Sequence, residues 1–468
     1  MGKDNKLERY DAIIIGSGQA GNPLAVKLAV SGRKVALIER EHIGGSCVNV
    51  GCSPTKTMES SGRVAYVVGR AADYGVNVTG PVSVDMRRVR KRKRDIVSGF
   101  REGDRAKLER KGVNIFFGEA RFRGPDEIEV NLNDGGESRM TAERIFIDTG
   151  TRPASPDIEG LSDCSILDNA SIMELDAVPD HLLVVGGGYV GMEFGRMYRR
   201  FGARVTIIHR GQHVLSREDA DVAEAIQEIF AEDGIRIILQ ADTRSATQDN
   251  DGTIHLALTC QEGEETLTGS HLLVAAGRTP NTDMLNLGAA GIEVDEKGYI
   301  RVDDRLRTSV PGIFALGDVK GGPAFTHIAY DDYRVIRQNL LDGGDATISD
   351  RLLPYVVFID PQLGRVGLSE REAGERGLDF KVVRMPMAHV ARALEVDETR
   401  GFLKALVDSG TGRILGFTAL GMEGGELMAV VQMAMVGGLT HSDLRNMIFA
   451  HPTLAESLNN LFALVDRE

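Results

Sequence analysis

Two of the chain's four cysteines, Cys47 and Cys52, stand close together in the glycine-rich stretch GGSCVNVGCSPTK, Gly44 to Lys56. A thiol pair at this spacing can open and close one disulfide bond, supply half of a metal site, or be a coincidence. A structural zinc site wants two further thiolates or imidazoles at matched spacing. Cys164, in SDCSI, and Cys260, in LTCQE, stand alone without neighbouring ligands, so no metal site is expected. Four cysteines in a chain of 468 residues are too few for a disulfide framework. In a reducing compartment a close pair is more often catalytic or metal-binding than structural.

Other elements must position these thiols, and an internal repeat shows which. YDAIIIGSGQAG ends in Gly16, Gly18 and Gly21, and HLLVVGGGYVG ends in Gly186, Gly188 and Gly191. Each is an apolar strand running into G-x-G-x-x-G and then a helical pattern, so each predicts a dinucleotide cradle. The glycines let the backbone approach a pyrophosphate, which sits on the helix N-terminus. The following strands, KVALIER and RVTIIHR, carry Glu39 and, at the equivalent place, His209 followed by Arg210. An acid there hydrogen-bonds a free ribose hydroxyl, whereas a basic neighbour accepts a 2′-phosphate. The first cradle is therefore expected to hold FAD. The second is expected to favour NADP(H) over NAD(H), with Arg210, and Arg217 or His213 besides, on the phosphate. RIFIDTGTRP and HLLVAAGRTPN form a second repeated pair of strand and glycine turn, containing Thr149, Gly150 and Gly277. TSVPGIFALGD is a strand ending in Asp318, suited to hydrogen-bonding a polyol chain.

Bulk properties narrow the class. The length predicts about two to four domains. A net charge of −13 disfavours general nucleic-acid binding, which needs excess Lys and Arg to neutralise phosphates. The basic run MRRVRKRKR, Met86 to Arg94, is read as a solvated helix face. The polar start MGKDNKLERYD has no apolar signal core, and no apolar run approaches the ~18–20 residues of a membrane helix. The expected location is cytoplasmic, with no membrane partner. AVVQMAMVGGL, Ala429 to Leu439, reads as a buried helix.

Together these motifs, with HPTLAESL near the C-terminus, resemble the class I pyridine nucleotide-disulfide oxidoreductases, the flavoprotein disulfide reductases. The resemblance runs from about Asp11 to Val465. FTHIAYDDYR, Phe325 to Arg334, brings the chain nearest the branch of mercuric reductases and reactive-chlorine-resistance flavoproteins. The chain is also similar to dihydrolipoamide dehydrogenase and glutathione reductase. The resemblance implies an α/β fold: two Rossmann-like dinucleotide-binding domains, for FAD and NAD(P), plus a C-terminal α+β dimerisation domain. The FAD domain would occupy 1–155 and 280–350, the NAD(P) domain 156–279 and the dimerisation domain 351–468.

It also implies roles. Electrons pass from NADPH through FAD to a Cys47–Cys52 disulfide, and on to a small-molecule disulfide, related oxidant or metal ion. Cys52 would be the charge-transfer thiol nearer the flavin and Cys47 the interchange thiol. Lys56 and Glu193 would pair beside the flavin N5, and Tyr189 would gate the flavin face. Gly45 and Ser46 would line the FAD site, with Glu39 on the adenosine ribose and Asp318 on the ribityl chain. His451 and Glu456 would form an acid–base pair reaching across a C2 homodimer to the other subunit's Cys47. A free cysteine, with a pKa of about 8.5, is only a few per cent thiolate at pH 7. Lowering that by about two units takes ~2.7 kcal/mol, which a helix N-terminus, the flavin and an imidazolium can supply.

The chain also departs from the family pattern. Ser53 stands where an aliphatic residue is frequent and Thr55 where serine is usual. Mercuric reductases carry a cysteine pair near their C-terminus, whereas this sequence ends LFALVDRE, and they tend to have tyrosine where His451 stands. Both departures count against efficient Hg(II) reduction. A metal-ion reductase, a dihydrolipoamide dehydrogenase-like enzyme and a one-turnover oxidant sensor are the competing expectations.

Overall fold

The computed structural model describes residues 7–349 and 351–466; the expected domain bounds at 1, 350 and 468 lie outside them. The fold is α/β. Two compact units divide the chain: 1–58, 88–154 and 277–351 form one, and 59–87, 155–276 and 352–468 the other.

In the first unit the run AIII, Ala12 to Ile15, is apolar on both sides of its pleat, so it forms a central strand buried on both faces. Strand Glu8–Ile15 pairs in parallel with Val35–Glu39 and with Glu137–Ile147, Ile15 standing opposite both Ile38 and Ile147. Alternate residues feed two cores. Ile13, Ile15, Ile38 and Ile147 pack on one side, and Ile14, Leu37 and Phe146 pack on the other with Leu24 and Leu28 of helix Gly21–Val30. This register brings Gly16, Glu39 and Asp148 to one carboxyl edge. There Gly16 N–H donates to Ile38 O at 2.8 Å and Asp148 N–H to Ile15 O at 2.8 Å. The short antiparallel pair Thr151–Pro153 and Arg278–Pro280 lies where the chain leaves this unit and where it returns.

The second unit repeats the plan. Its parallel sheet runs in the order Ile235–Ile238, Arg204–Ile208, His181–Val185, His271–Val274, Ile166–Leu167. An antiparallel meander, Asp242–Gly269, follows the same segment. Residues from Tyr355 onward form a five-stranded antiparallel sheet faced by helices Gly424–Val436 and Ser457–Ala463.

The helix around AVVQMAMVGGL differs from its expectation. Val431 and Ala434 are buried, but Met433 and Val436 are 72% and 69% exposed, because only one face of this helix packs on the sheet. The basic run does lie on a helix, Met86–Arg110, with Arg87, Arg88, Lys91, Arg92 and Arg94 exposed and Lys93 buried. No helix among the described residues is long and apolar enough to cross a membrane.

A charged side chain is also enclosed in the second unit. Lys404, its side chain 1% exposed, donates to Asp221 at 2.8 Å and Asp219 at 3.1 Å, and it also pairs with Glu370. These three carboxylates are the one cluster among the described residues that could resemble a metal site, and the Lys404 ammonium already stands among them. Lys404→Met would leave the carboxylates unpaired. Unfolding should cost about 3 kcal/mol less, the lower end of the buried-pair range, because Asp221 and Glu370 keep some water. Thermal denaturation followed by circular dichroism should show the lowered midpoint; an unchanged one would mean the carboxylates separate into solvent.

Candidate active site

The thiols are brought to the first cradle by glycines. Gly44 and Gly45 have φ of 107° and 61°, in the region that disfavours side chains. A Cβ on Gly45 would lie 2.7 Å from the Cα of Gly18, so the two segments touch backbone to backbone. Hydrogen bonds fix this contact: Gly44 N–H donates to Ser17 Oγ at 3.1 Å and Gln19 Nε2 to Gly44 O at 3.2 Å. Cys47 follows in the short helix Gly45–Asn49, and a new helix, Cys52–Gly69, starts on Cys52. Free N–H groups at such a start favour a thiolate.

Neither cysteine is in a disulfide, and Cys47 is half-buried and Cys52 exposed. Cys47 hydrogen-bonds with Cys52, and that bond, followed by burial, pushes its pKa up, while the Thr326 hydroxyl and the Lys56 ammonium pull it down. The pair therefore holds on to one proton: ionising one sulfur makes ionising the other costly. Thr326 Oγ1 also lies 3.2 Å from Cys52 Sγ. The motifs do not identify Thr326 as a thiol partner, although it stands in FTHIAYDDYR and opens helix Thr326–Leu341. Thr55 bonds back to Gly51 O at 2.8 Å, and Ser46 is exposed.

Around the first turn, Glu39 accepts from Ser17 N–H at 3.1 Å and from Ser17 Oγ–H at 2.6 Å. Gly16 has φ 101°, and a Cβ there would stand 2.2 Å from Asp148 O. Gly150 and Gly277 have φ of 65° and 136°. Thr149 Oγ1 donates to Asn281 O at 2.9 Å. Asp318 lies in the short helical turn Gly317–Lys320. Burial raises its pKa, opposed by the charge of Arg278 and a 3.3 Å hydrogen bond from Thr151.

The second cradle repeats this geometry with different chemistry. Gly186 has φ 121°, and a Cβ on Gly191 would meet Gly186 O at 1.9 Å. Gly188 caps helix Tyr189–Phe201, whose first residue is the half-buried Tyr189. His209 does for this turn what Glu39 does for the first: its Nδ1 accepts Gly187 N–H at 3.2 Å. Burial, and then the charge of Arg210, lower its pKa, so the ring is neutral and faces the turn. Arg210 and Arg217 are exposed and have no ion-pair partner among the described residues. Glu193, on the same helix as Tyr189, accepts Phe358 N–H at 2.8 Å. Further along the second unit, His451 Nδ1 meets Glu456 Oε2 at 2.8 Å, a ring held by its acid with the other nitrogen left to act. Cys164 and Cys260 lie against one apolar cluster.

Residues 10–332 match the family described as pyridine nucleotide-disulphide oxidoreductase, and 353–462 match its dimerisation domain. The chain is 39% identical over 465 residues to the probable pyridine nucleotide-disulfide oxidoreductase RclA of Escherichia coli K12, covering 98% of this chain and 100% of that one. It is 34% identical over 461 residues to a mercuric reductase of Bacillus cereus, covering 98% of this chain and 72% of the relative. Among solved structures, the Cu(II) complex of the HOCl-induced flavoprotein disulfide reductase RclA from Escherichia coli aligns with a TM-score of 0.89 at 38% identity, covering 98% of this chain and 100% of that one. The chain therefore belongs to the pyridine nucleotide-disulphide oxidoreductases, flavoprotein enzymes that draw electrons from NAD(P)H.

Proposed function

We propose that this enzyme is an NADPH-dependent reductase in which Cys47 and Cys52 form the redox-active pair and a disulfide or related oxidant is the acceptor. The observation that carries this reading is the hydrogen-bonded thiol pair at a helix start, in the segment that follows Gly45 where Gly45 meets Gly18 of the first cradle. The first cradle fits FAD: Gly16, Gly18 and Gly21 leave no room for side chains, and a ten-residue helix points its N-terminus at the turn. Gly16, Gly18, Gly21, Glu39, Gly45, Ser46, Thr149, Gly150, Gly277 and Asp318 would hold it. Bound there, the flavin supplies the change from a hydride donor to two electrons for sulfur.

The chain's own groups then handle sulfur and protons. With the dithiol reduced, the Cys47 thiolate attacks one sulfur of the acceptor disulfide, and the leaving thiolate takes a proton. Cys52 then attacks the Cys47 sulfur, which closes the Cys47–Cys52 bond and releases the second thiol. The acceptor gains two electrons and two protons, and the pair loses them. His451, oriented by Glu456, holds and returns the proton, acting on the partner subunit's dithiol in a homodimer. The exposed Met433, Val436, Met447 and Ile448, the last 98% exposed, give the matched dimerisation segment an apolar face to bury. Lys56, Glu193 and Tyr189 keep the roles at the flavin that the family resemblance gives them. We retain the division into FAD segments 1–155 and 280–350, NAD(P) segment 156–279 and interface segment 351–468, and a cytoplasmic location.

For the nucleotide, the neutral His209 lacks the acid that holds a free ribose, and Arg210 and Arg217 offer unpaired charge to a 2′-phosphate. A second acceptor reading has support of its own: adjacent thiols suit soft metal ions. One relative is named a mercuric reductase and another was solved with Cu(II). An acceptor screen with glutathione disulfide, lipoamide, Hg(II), Cu(II) and quinones distinguishes the two.

Anaerobic reduction of the yellow protein should produce a long-wavelength thiolate-to-flavin band, and Cys52→Ser should abolish it; a band that survives would reverse the roles of the two thiols. Arg210→Ala should lower kcat/KM for NADPH about 10- to 100-fold, the worth of a charged hydrogen bond, and leave NADH unchanged. Equal losses with both nucleotides would remove Arg210 from the phosphate. His451→Ala should still accept electrons from NADPH yet turn over disulfides about 100-fold more slowly. Undiminished turnover in steady-state assays would leave the histidine without a role.

A further inference from the structure

Three carboxylates meet beneath the first glycine turn; among the described residues Asp332 is paired with cations, Asp318 faces one, and Asp148 has none. Asp332 accepts from Arg351 at 2.8 Å, from Gly317 N–H at 2.9 Å and pairs with Lys320 at 3.3 Å. Asp318 faces Arg278 and accepts from Thr151. Asp148, at the end of strand Glu137–Ile147, is 6% exposed and has no ion-pair partner among the described residues. Its Oδ2 accepts Gly21 N–H at 2.7 Å, and the Ala20 N–H also faces its carboxyl. Three glycines make room for it. A Cβ on Gly18 would lie 2.7 Å from Oδ2, one on Gly21 3.0 Å from Oδ2, and one on Gly317 2.7 Å from Oδ1.

The internal repeat supplies a comparison. In the second cradle the matching residue is Ala275, whose carbonyl meets Gly186 as that of Asp148 meets Gly16. That cradle is built without a carboxyl beneath its turn, so Asp148 is not needed to shape one. It takes the Gly21 and Ala20 N–H groups at the start of helix Gly21–Val30, beside the place where a dinucleotide diphosphate sits on the helix end. An ionised Asp148 would set a negative charge against that diphosphate in a buried site, where water screens charge least. Burial, followed by the charges of Asp318 and Asp332, pushes its carboxyl well above the usual range, against the pull of the Gly21 and Ala20 N–H groups.

We propose that the first cradle closes on the FAD diphosphate only with Asp148 protonated, so that retaining the cofactor retains a proton on this side chain. In the neutral form the carbonyl oxygen still accepts Gly21 N–H, and the hydroxyl adds a donor without a charge. The inference rests on the assignment of FAD to this cradle.

The sign follows from linkage. A carboxyl that must be neutral for binding favours FAD at low pH. As pH rises past the point where the empty cradle ionises, the FAD dissociation constant should grow by up to about tenfold per unit for a single proton. The full-length holoenzyme, diluted into buffers from mildly acid to mildly alkaline, reports released FAD by its fluorescence. Wild type should lose FAD with that slope, and Asp148→Asn, neutral at every pH and similar in shape, should bind with a flat profile. Asp318→Asn removes one of the negative charges that raise the Asp148 carboxyl, so it should keep the slope with its onset moved to lower pH. A flat wild-type profile, or a slope that survives in Asp148→Asn, overturns the proposal. If Asp148→Asn does not fold, a slope lost in Asp318→Asn overturns it instead, and a slope kept there supports it. Retention of FAD in Gly18→Val would show that the cofactor sits elsewhere, which overturns the cradle assignment and the inference with it.

Discussion

A carbonyl oxygen 2.2 Å from where a Cβ on Gly16 would lie sets the geometry of the first unit. That oxygen belongs to Asp148, on the strand beside Glu8–Ile15, and parallel pairing brings the two strand ends level. The turn after Ile15 must therefore pass directly over a neighbouring backbone, which only glycine allows. Gly45 then rests on Gly18, and the cysteines follow within a few residues. The thiols owe their place to this stack of backbone contacts, so side chains introduced at Gly16, Gly18 or Gly45 would push the layers apart.

The two cradles show how one backbone design serves different ligands. Glu39 and His209 each accept the N–H of the middle residue of their glycine turn, Ser17 in one and Gly187 in the other. The carboxylate brings a charge to that task. The imidazole performs it only while neutral, and its burial beside Arg210 keeps it so. The difference leaves the first turn acidic and the second flanked by unpaired arginines, although their strands, helices and glycines correspond.

Proton control runs through both ends of the first cradle. At the thiols, Cys47 and Cys52 share a hydrogen bond that resists a second ionisation, with Lys56 and Thr326 as the counterweight. Beneath the turn, Asp148 is enclosed without an ion-pair partner among the described residues, while Asp332 is paired with cations and Asp318 faces Arg278. Such groups are costly to bury charged, so their protonation follows the charge of whatever occupies the site.

The sequence by itself determined the elements whose signals are local. Gly16-x-Gly18-x-x-Gly21 and its repeat, the Cys47 and Cys52 spacing, and His451 with Glu456 each lie within one turn or one strand–helix junction, where residue type and spacing dictate the backbone. Tertiary structure decided what depends on strand order and register. Thr326 reaches Cys52 across 274 residues and Asp148 reaches Gly21 across 127, while Lys404 collects its carboxylates from distant segments. The exposed face of helix Gly424–Val436 belongs here too, since an apolar run looks alike whether one side packs or all do. No short-range pattern records such meetings, because they arise only when sheets align their edges and bring remote residues within hydrogen-bonding distance.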